Sequence, residues 1–145
     1  MDNDVRVLLV DDDRLILLGL ERQLRRKFVI VTASNGDEGL EQLERNEIDA
    51  VVSDHNMPEM SGVEFLTRVR EQFPHTGRVL LTGSVEVCNR ADDLTDAGLV
   101  SDVLAKPVHR DVLRGAIERA AGCGDREPKR KAKRLLRSTP TSRTR

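Results

Sequence analysis

Short apolar runs alternate with longer amphipathic stretches along most of the chain. The runs are "VRVLLV" (5–10), "FVIVTA" (28–33), "IDAVVSD" (48–54), "RVLLT" (78–82) and "DVLA" (102–105). Their shortness and richness in Val, Ile and Leu predict five buried strands, because a strand covered on both faces needs no polar alternation. The connectors carry helical spacing instead: Ile16, Leu20 and Leu24 share a face, as do Leu40 and Leu43, and Val112, Leu113, Ala116, Ile117 and Ala120 share another. Ser61 followed three residues later by Glu64 is a capping-box signature, and that helix is expected to stop before Pro74. The fourth connector, "SVEVCNRADDLTDAGL", is polar and weakly periodic and predicts the least stable helix. Strands alternating with helices predict the α/β class, a doubly wound five-stranded parallel sheet.

Composition narrows the picture. At 145 residues and 38% hydrophobic content the chain has material for one core. No apolar run approaches the roughly 20 residues that span a bilayer, and the acidic start "MDNDVRVLLV" is unlike a signal peptide, so a cytoplasmic protein without membrane contact is expected. Cys88 and Cys123 lack metal-ligand spacing, and His55, His75 and His109 share none, so neither a disulfide framework nor a zinc site is expected. With no Trp or Tyr and three Phe, base stacking has little material.

The net charge of −1 conceals an asymmetry. Residues 125–145 hold nine Lys/Arg against Asp125 and Glu127, a net of +7. Of the 24 basic and 25 acidic residues, 15 and 23 then remain in residues 1–124, a net of −8. Gly122, Gly124 and Pro128 punctuate the break. We therefore divide the chain into a folded domain over 1–122 and a basic, unfolded tail over 123–145, for which nucleic-acid binding is the less favoured reading.

Chemistry concentrates at the ends of the runs. Asp11, Asp12 and Asp13 follow the first, Asp54 ends the third, Thr82 ends the fourth and Lys106 follows the fifth. In an open parallel sheet these strand ends lie on one rim, where ligands bind at the point of reversed strand order. Two like charges about 4 Å apart at an effective dielectric of 20 repel by roughly 4 kcal/mol, so a buried or semi-buried cluster of carboxylates needs a cation or solvent to offset it. Hard oxygen donors suit Mg²⁺, and a carboxylate beside it can take a phosphoryl group as an acyl phosphate. Asp13 sits where the first helix should begin and reads as its N-cap.

The segments "VLLVDDD", "VVSDHNMPEMSG", "VLLTG" and "LAKP", in this order, resemble the receiver domain of two-component response regulators, over about residues 5–121. The resemblance implies a flavodoxin-like (βα)5 fold of the single-domain, chemotaxis-regulator-like kind. It implies Asp54 as phospho-acceptor, and Mg²⁺ held by Asp11, Asp12 and Asp54 with the backbone of Asn56. It also implies that Thr82 contacts the phosphoryl group, that Lys106 pairs with it, and that Pro107 follows a cis bond. The implied partners are a sensor histidine kinase or histidine phosphotransfer protein and a downstream protein of unknown identity, and the chain would be a switch rather than an enzyme. Two departures stand out: Val103 occupies the place of the family's aromatic switch residue, and the stretch from Thr82 to Lys106 is long and poor in apolar residues. A rival reading is a phosphatase resembling the haloacid dehalogenase superfamily, whose D-x-D-x-[TV] motif "DDDRL" meets except at Leu15.

Overall fold

A computed structural model describes residues 4–122. The expected tail over 123–145, its boundary and Cys123 lie outside the described residues. Five parallel strands, β1 (Arg6–Val10), β2 (Val29–Ala33), β3 (Ala50–Asp54), β4 (Gly77–Thr82) and β5 (Asp102–Ala105), form one sheet in the order β2-β1-β3-β4-β5. This is the doubly wound, flavodoxin-like architecture expected from the sequence. Strand order reverses between β1 and β3, so the crevice at their carboxyl ends is where a site is expected.

Alternate residues of each strand enter opposite layers. Leu8, Val10, Val51 and Leu80 point to one layer, and Val7, Leu9, Val52, Val79 and Leu81 to the other. Helices α1 (Arg14–Leu24) and α6 (Arg110–Gly122) cover the second layer. The first is covered by α2 (Gly36–Arg45), α3 (Gly62–Gln72), α4 (Val85–Asn89) and α5 (Ala91–Asp96). With both faces covered, the interior strands are apolar along their middles, which is why they read as continuous runs with polar residues only at the ends.

The helix starts follow local chemistry. Asn35 accepts from the Glu38 N–H at the start of α2, and Ser61 and Glu64 complete the expected capping box, with α3 ending at Gln72, before Pro74. Glu38 in addition accepts from the backbone N–H and hydroxyl of Ser34, at 2.7 and 2.9 Å. Those bonds hold its carboxyl below the usual carboxylate value.

Several expectations shift in detail. In α1 the run "LILLGL" satisfies more than one helical face, and the structure buries Leu17 and Leu24, leaving Ile16 and Leu20 half-buried. In α6 Ala121 joins the buried face, whereas Val112 lies on its flank, 52% exposed. The single fourth helix is two short ones meeting at Arg90 (φ −98°, ψ 9°), each with one buried anchor, Val87 or Leu94. A stretch with so few apolar positions cannot hold one long helix against the sheet.

Gly62 is the tightest point beneath the rim. A Cβ there would collide with the Asp54 carbonyl oxygen and lie 2.7 Å from His55 Cα, whereas a Cβ on Gly19, within α1, meets nothing within 4 Å. Gly62→Ala should therefore lower unfolding stability by about 2–3 kcal/mol through overpacking. Gly19→Ala should raise it by about 0.5–1 kcal/mol through helix propensity; urea unfolding of both variants checks the opposite signs. Because the Glu38 pKa is depressed, its contribution is present above its unfolded value near pH 4.3 and lost as pH falls through the folded one. Glu38→Ala should cost about 0.5 kcal/mol at pH 7, a small figure because the group is solvent-screened, and the gap to wild type should close in acid.

Candidate functional site

Asp11 is the first residue beyond β1, and its N–H donates to the Ala33 carbonyl at 3.2 Å, extending the sheet pairing by one residue. Asp54 ends β3 opposite Leu81. The switch-point geometry thereby buries two carboxylates at once: Asp11 is 2% and Asp54 6% exposed. Asp12 is exposed, and oxygens of Asp11, Asp12 and Asp54 lie within 4.8 Å of one another. Asp13 leaves this group. Its side chain accepts from the N–H of Leu15 and Ile16 at the start of α1, while its own N–H donates to Asp11 Oδ1 at 2.8 Å.

Lys106 comes from the opposite side. Its N–H donates to the Thr82 carbonyl at 2.8 Å, continuing the pairing of Thr82 with Ala105, and the Lys106–Pro107 bond is cis. From there Nζ reaches Asp54 Oδ1 at 2.7 Å and Asp11 Oδ2 at 3.2 Å. One ammonium thus pairs with two of the three clustered carboxylates. Burial and the neighbouring Asp54 charge raise the Asp11 carboxyl above its usual value, against the opposing pull of the Asp13 N–H and Lys106. Burial works against charge on Lys106 too, but Asp54 and Asp11 outweigh it and hold the ammonium above its ordinary value.

Thr82 is fully buried, and its hydroxyl oxygen accepts from the Ser84 N–H at 3.0 Å. Ser84 itself caps α4 by accepting from the Val87 N–H. The sequence reading missed this role of Ser84; a Thr at a strand end followed by Gly-Ser is the signal for such a turn. It also missed Ser53, whose buried hydroxyl donates to the Asp54 carbonyl at 2.9 Å. Asn56 is exposed on the loop after β3, and its carbonyl accepts no hydrogen bond among the described residues. Val103, half-buried on β5, packs against the layer that holds α4 and α5.

The three clustered carboxylates are hard oxygen donors of the kind that fits Mg²⁺, and the Asn56 carbonyl, two residues past Asp54, is free to add a fourth. Among the described residues no helix is long and apolar enough to cross a membrane.

Comparison with known proteins agrees with this geometry. The family model "Response regulator receiver domain" matches residues 7–118. The hydrogenase transcriptional regulatory protein HoxA of Cupriavidus necator is 33% identical over 99% of this chain and 30% of its own length. The cell cycle transcriptional regulator CtrA of Caulobacter vibrioides is 32% identical over 75% of this chain and 47% of its own. The chain thus spans less than half of either relative. Among solved structures, a response regulator receiver domain protein from Clostridium thermocellum is 30% identical, with a TM-score of 0.73 over 91% of this chain and 98% of that one. Response regulator TrrA from Thermotoga maritima, solved in complex with Mg²⁺ and BeF, is 27% identical, with a TM-score of 0.70 over 80% of this chain and 98% of that one. The family match runs from β1 into α6, across every strand that contributes to the rim, and the chain belongs to the response regulator receiver domains of two-component systems.

Proposed function

We propose that the chain is a Mg²⁺-dependent phosphorylation switch in which Asp54 accepts a phosphoryl group from a histidine kinase or histidine phosphotransfer protein. The observation that carries this reading is the Asp54 carboxylate, held at the switch point by Lys106 and flanked by Asp11 and Asp12. In the transfer a carboxylate oxygen of Asp54 bonds to phosphorus while the bond from phosphorus to the donor imidazole nitrogen breaks, and the imidazole leaves with a proton. Bound by Asp11, Asp12, Asp54 and the Asn56 carbonyl, Mg²⁺ would offset the charge of carboxylates and phosphoryl oxygens. Lys106, already 2.7 Å from Asp54, follows the charge onto the phosphoryl group, and the Thr82 hydroxyl donates to it in place of its present role as an acceptor from Ser84. Output then passes by protein contact or phosphorelay, and the chain turns over no substrate beyond slow loss of its own phosphate.

The haloacid-dehalogenase-like reading is disfavoured because it needs Asp11 and Asp13 together at the reacting centre, and Asp13 caps α1 instead. With Mg²⁺ and a small phosphodonor, intact-mass analysis should find one added phosphate on the wild type and none on Asp54→Asn; undiminished labelling of Asp54→Asn would overturn the assignment.

The division between Asp12 and Asp13 has its own consequence. Asp12→Asn should weaken Mg²⁺ binding about 10-fold or more. In metal-free buffer it should instead raise unfolding stability by about 0.5–1 kcal/mol, because one exposed charge leaves a repulsive trio. Asp13→Ala should cost about 1 kcal/mol of stability through the lost cap and barely alter Mg²⁺ affinity. Titration calorimetry with thermal unfolding measures both, and equal losses of affinity would refute the division.

A further inference from the structure

The short helices beside β5 present an unpartnered face. Within residues 85–96, Glu86, Asp92, Asp93 and Asp96 are exposed and Arg90 is the lone cation. None of the four carboxylates makes an ion pair among the described residues. Val85, at the start of α4, is an apolar side chain left 73% exposed. The face is therefore acidic, with one apolar corner.

The chain itself supplies a segment of complementary chemistry. Beyond Gly122 the sequence runs 23 residues further with a net charge of +7 over 125–145, and Leu135 and Leu136 sit within its basic run. The end of α6, from which that run continues along the chain, lies close to the end of α5. Gly77 lies against the backbone of Ala120, near the end of α6. The next residue, Arg78, donates from Nε to the Leu99 carbonyl at 2.6 Å and from Nη2 to the Gly98 carbonyl at 3.2 Å, just past the end of α5. Two consecutive residues of β4, with Cα atoms about 3.8 Å apart, thus hold the ends of both helices. The seven residues from Gly122 to Lys129 span at most about 25 Å when extended, so the basic run arises within reach of Asp96.

The rival acidic surface, carrying Asp37, Glu41 and Glu44 on α2, lies over β1 and β2 toward the other edge of the sheet. A tethered ligand's effective concentration falls steeply with the distance its linker must cover, which favours the nearer face. The end of α1 presents Arg22, Arg25 and Arg26, exposed cations that would repel a basic segment.

We propose that residues 129–137 dock on the outer face of α4 and α5 of their own chain, with Lys and Arg side chains against Asp92, Asp93 and Asp96 and the two leucines against Val85. The proposal does not depend on phosphorylation at Asp54.

The test uses the full chain, with Cys88→Ser and Cys123→Ser and a nitroxide attached through Ser138→Cys. At low ionic strength the amide resonances of residues 85–96 should broaden beyond those of α2. The excess should be lost at about 1 M salt, where the Debye length is about 3 Å. It should also be lost in Asp92→Asn/Asp93→Asn/Asp96→Asn and, with the folded domain untouched, in Lys129→Glu/Lys131→Glu/Lys133→Glu. No broadening, broadening on α2, or persistence in salt or in the Lys→Glu variant would each overturn the proposal. Broadening that grows with protein concentration would mean that the segment occupies a second copy, and would overturn it as well.

Discussion

Two carboxylates buried side by side at the ends of parallel strands are an electrostatic liability, and much of the fold can be understood as the arrangement that makes them tolerable. Asp11 and Asp54 are brought together because β1 and β3 are neighbours where the strand order turns. Asp12 adds a third charge, and the single ammonium of Lys106 leaves a surplus of negative charge; burial first, and the neighbouring Asp54 charge after it, raise the Asp11 carboxyl. Such a centre is poised to take up cationic or electrophilic partners, because either relieves a repulsion already present.

Each supporting feature serves to aim this cluster. Gly62 lets α3 start directly beneath the Asp54 carbonyl, and the Ser53 hydroxyl engages the same carbonyl. The capping role of Asp13 removes one carboxylate from the cluster while delivering its N–H to Asp11. At the far side the Thr82 carbonyl fixes the backbone of Lys106, and the Thr82 hydroxyl is tied through Ser84 to the first turn of α4. Changes at the rim therefore have a short covalent and hydrogen-bonded route to the α4–α5 pair.

Most of this was legible in the sequence for a physical reason: buried parallel strands are the strongest local signal a chain offers, and the chemistry lies at their ends. The five runs located the strands to within two residues, and the strand-end rule placed Asp11, Asp12, Asp54, Thr82 and Lys106 on one rim. What escaped depended on tertiary choice. "LILLGL" could offer more than one face to the core, so Leu17 displaced Ile16 as a buried residue. Val112 fitted the helical period yet lies beyond the width of the buried stripe. The break at Arg90 and the left-handed Glu59 (φ 72°) follow from how the chain must turn between fixed ends, which no local pattern announces.

The span between Asp11 and Lys106, 95 residues along the chain, ties the centre to the completion of folding. Contacts of such long separation are slow to form, because loop closure precedes any reward. During synthesis the three carboxylates emerge well before the lysine that pairs with two of them, and β5 comes last in the chain. A partly made or partly unfolded chain therefore has the Asp54 carboxylate but not its cationic partner. Competence at the centre reports that the whole sheet, out to its final edge strand, has been assembled.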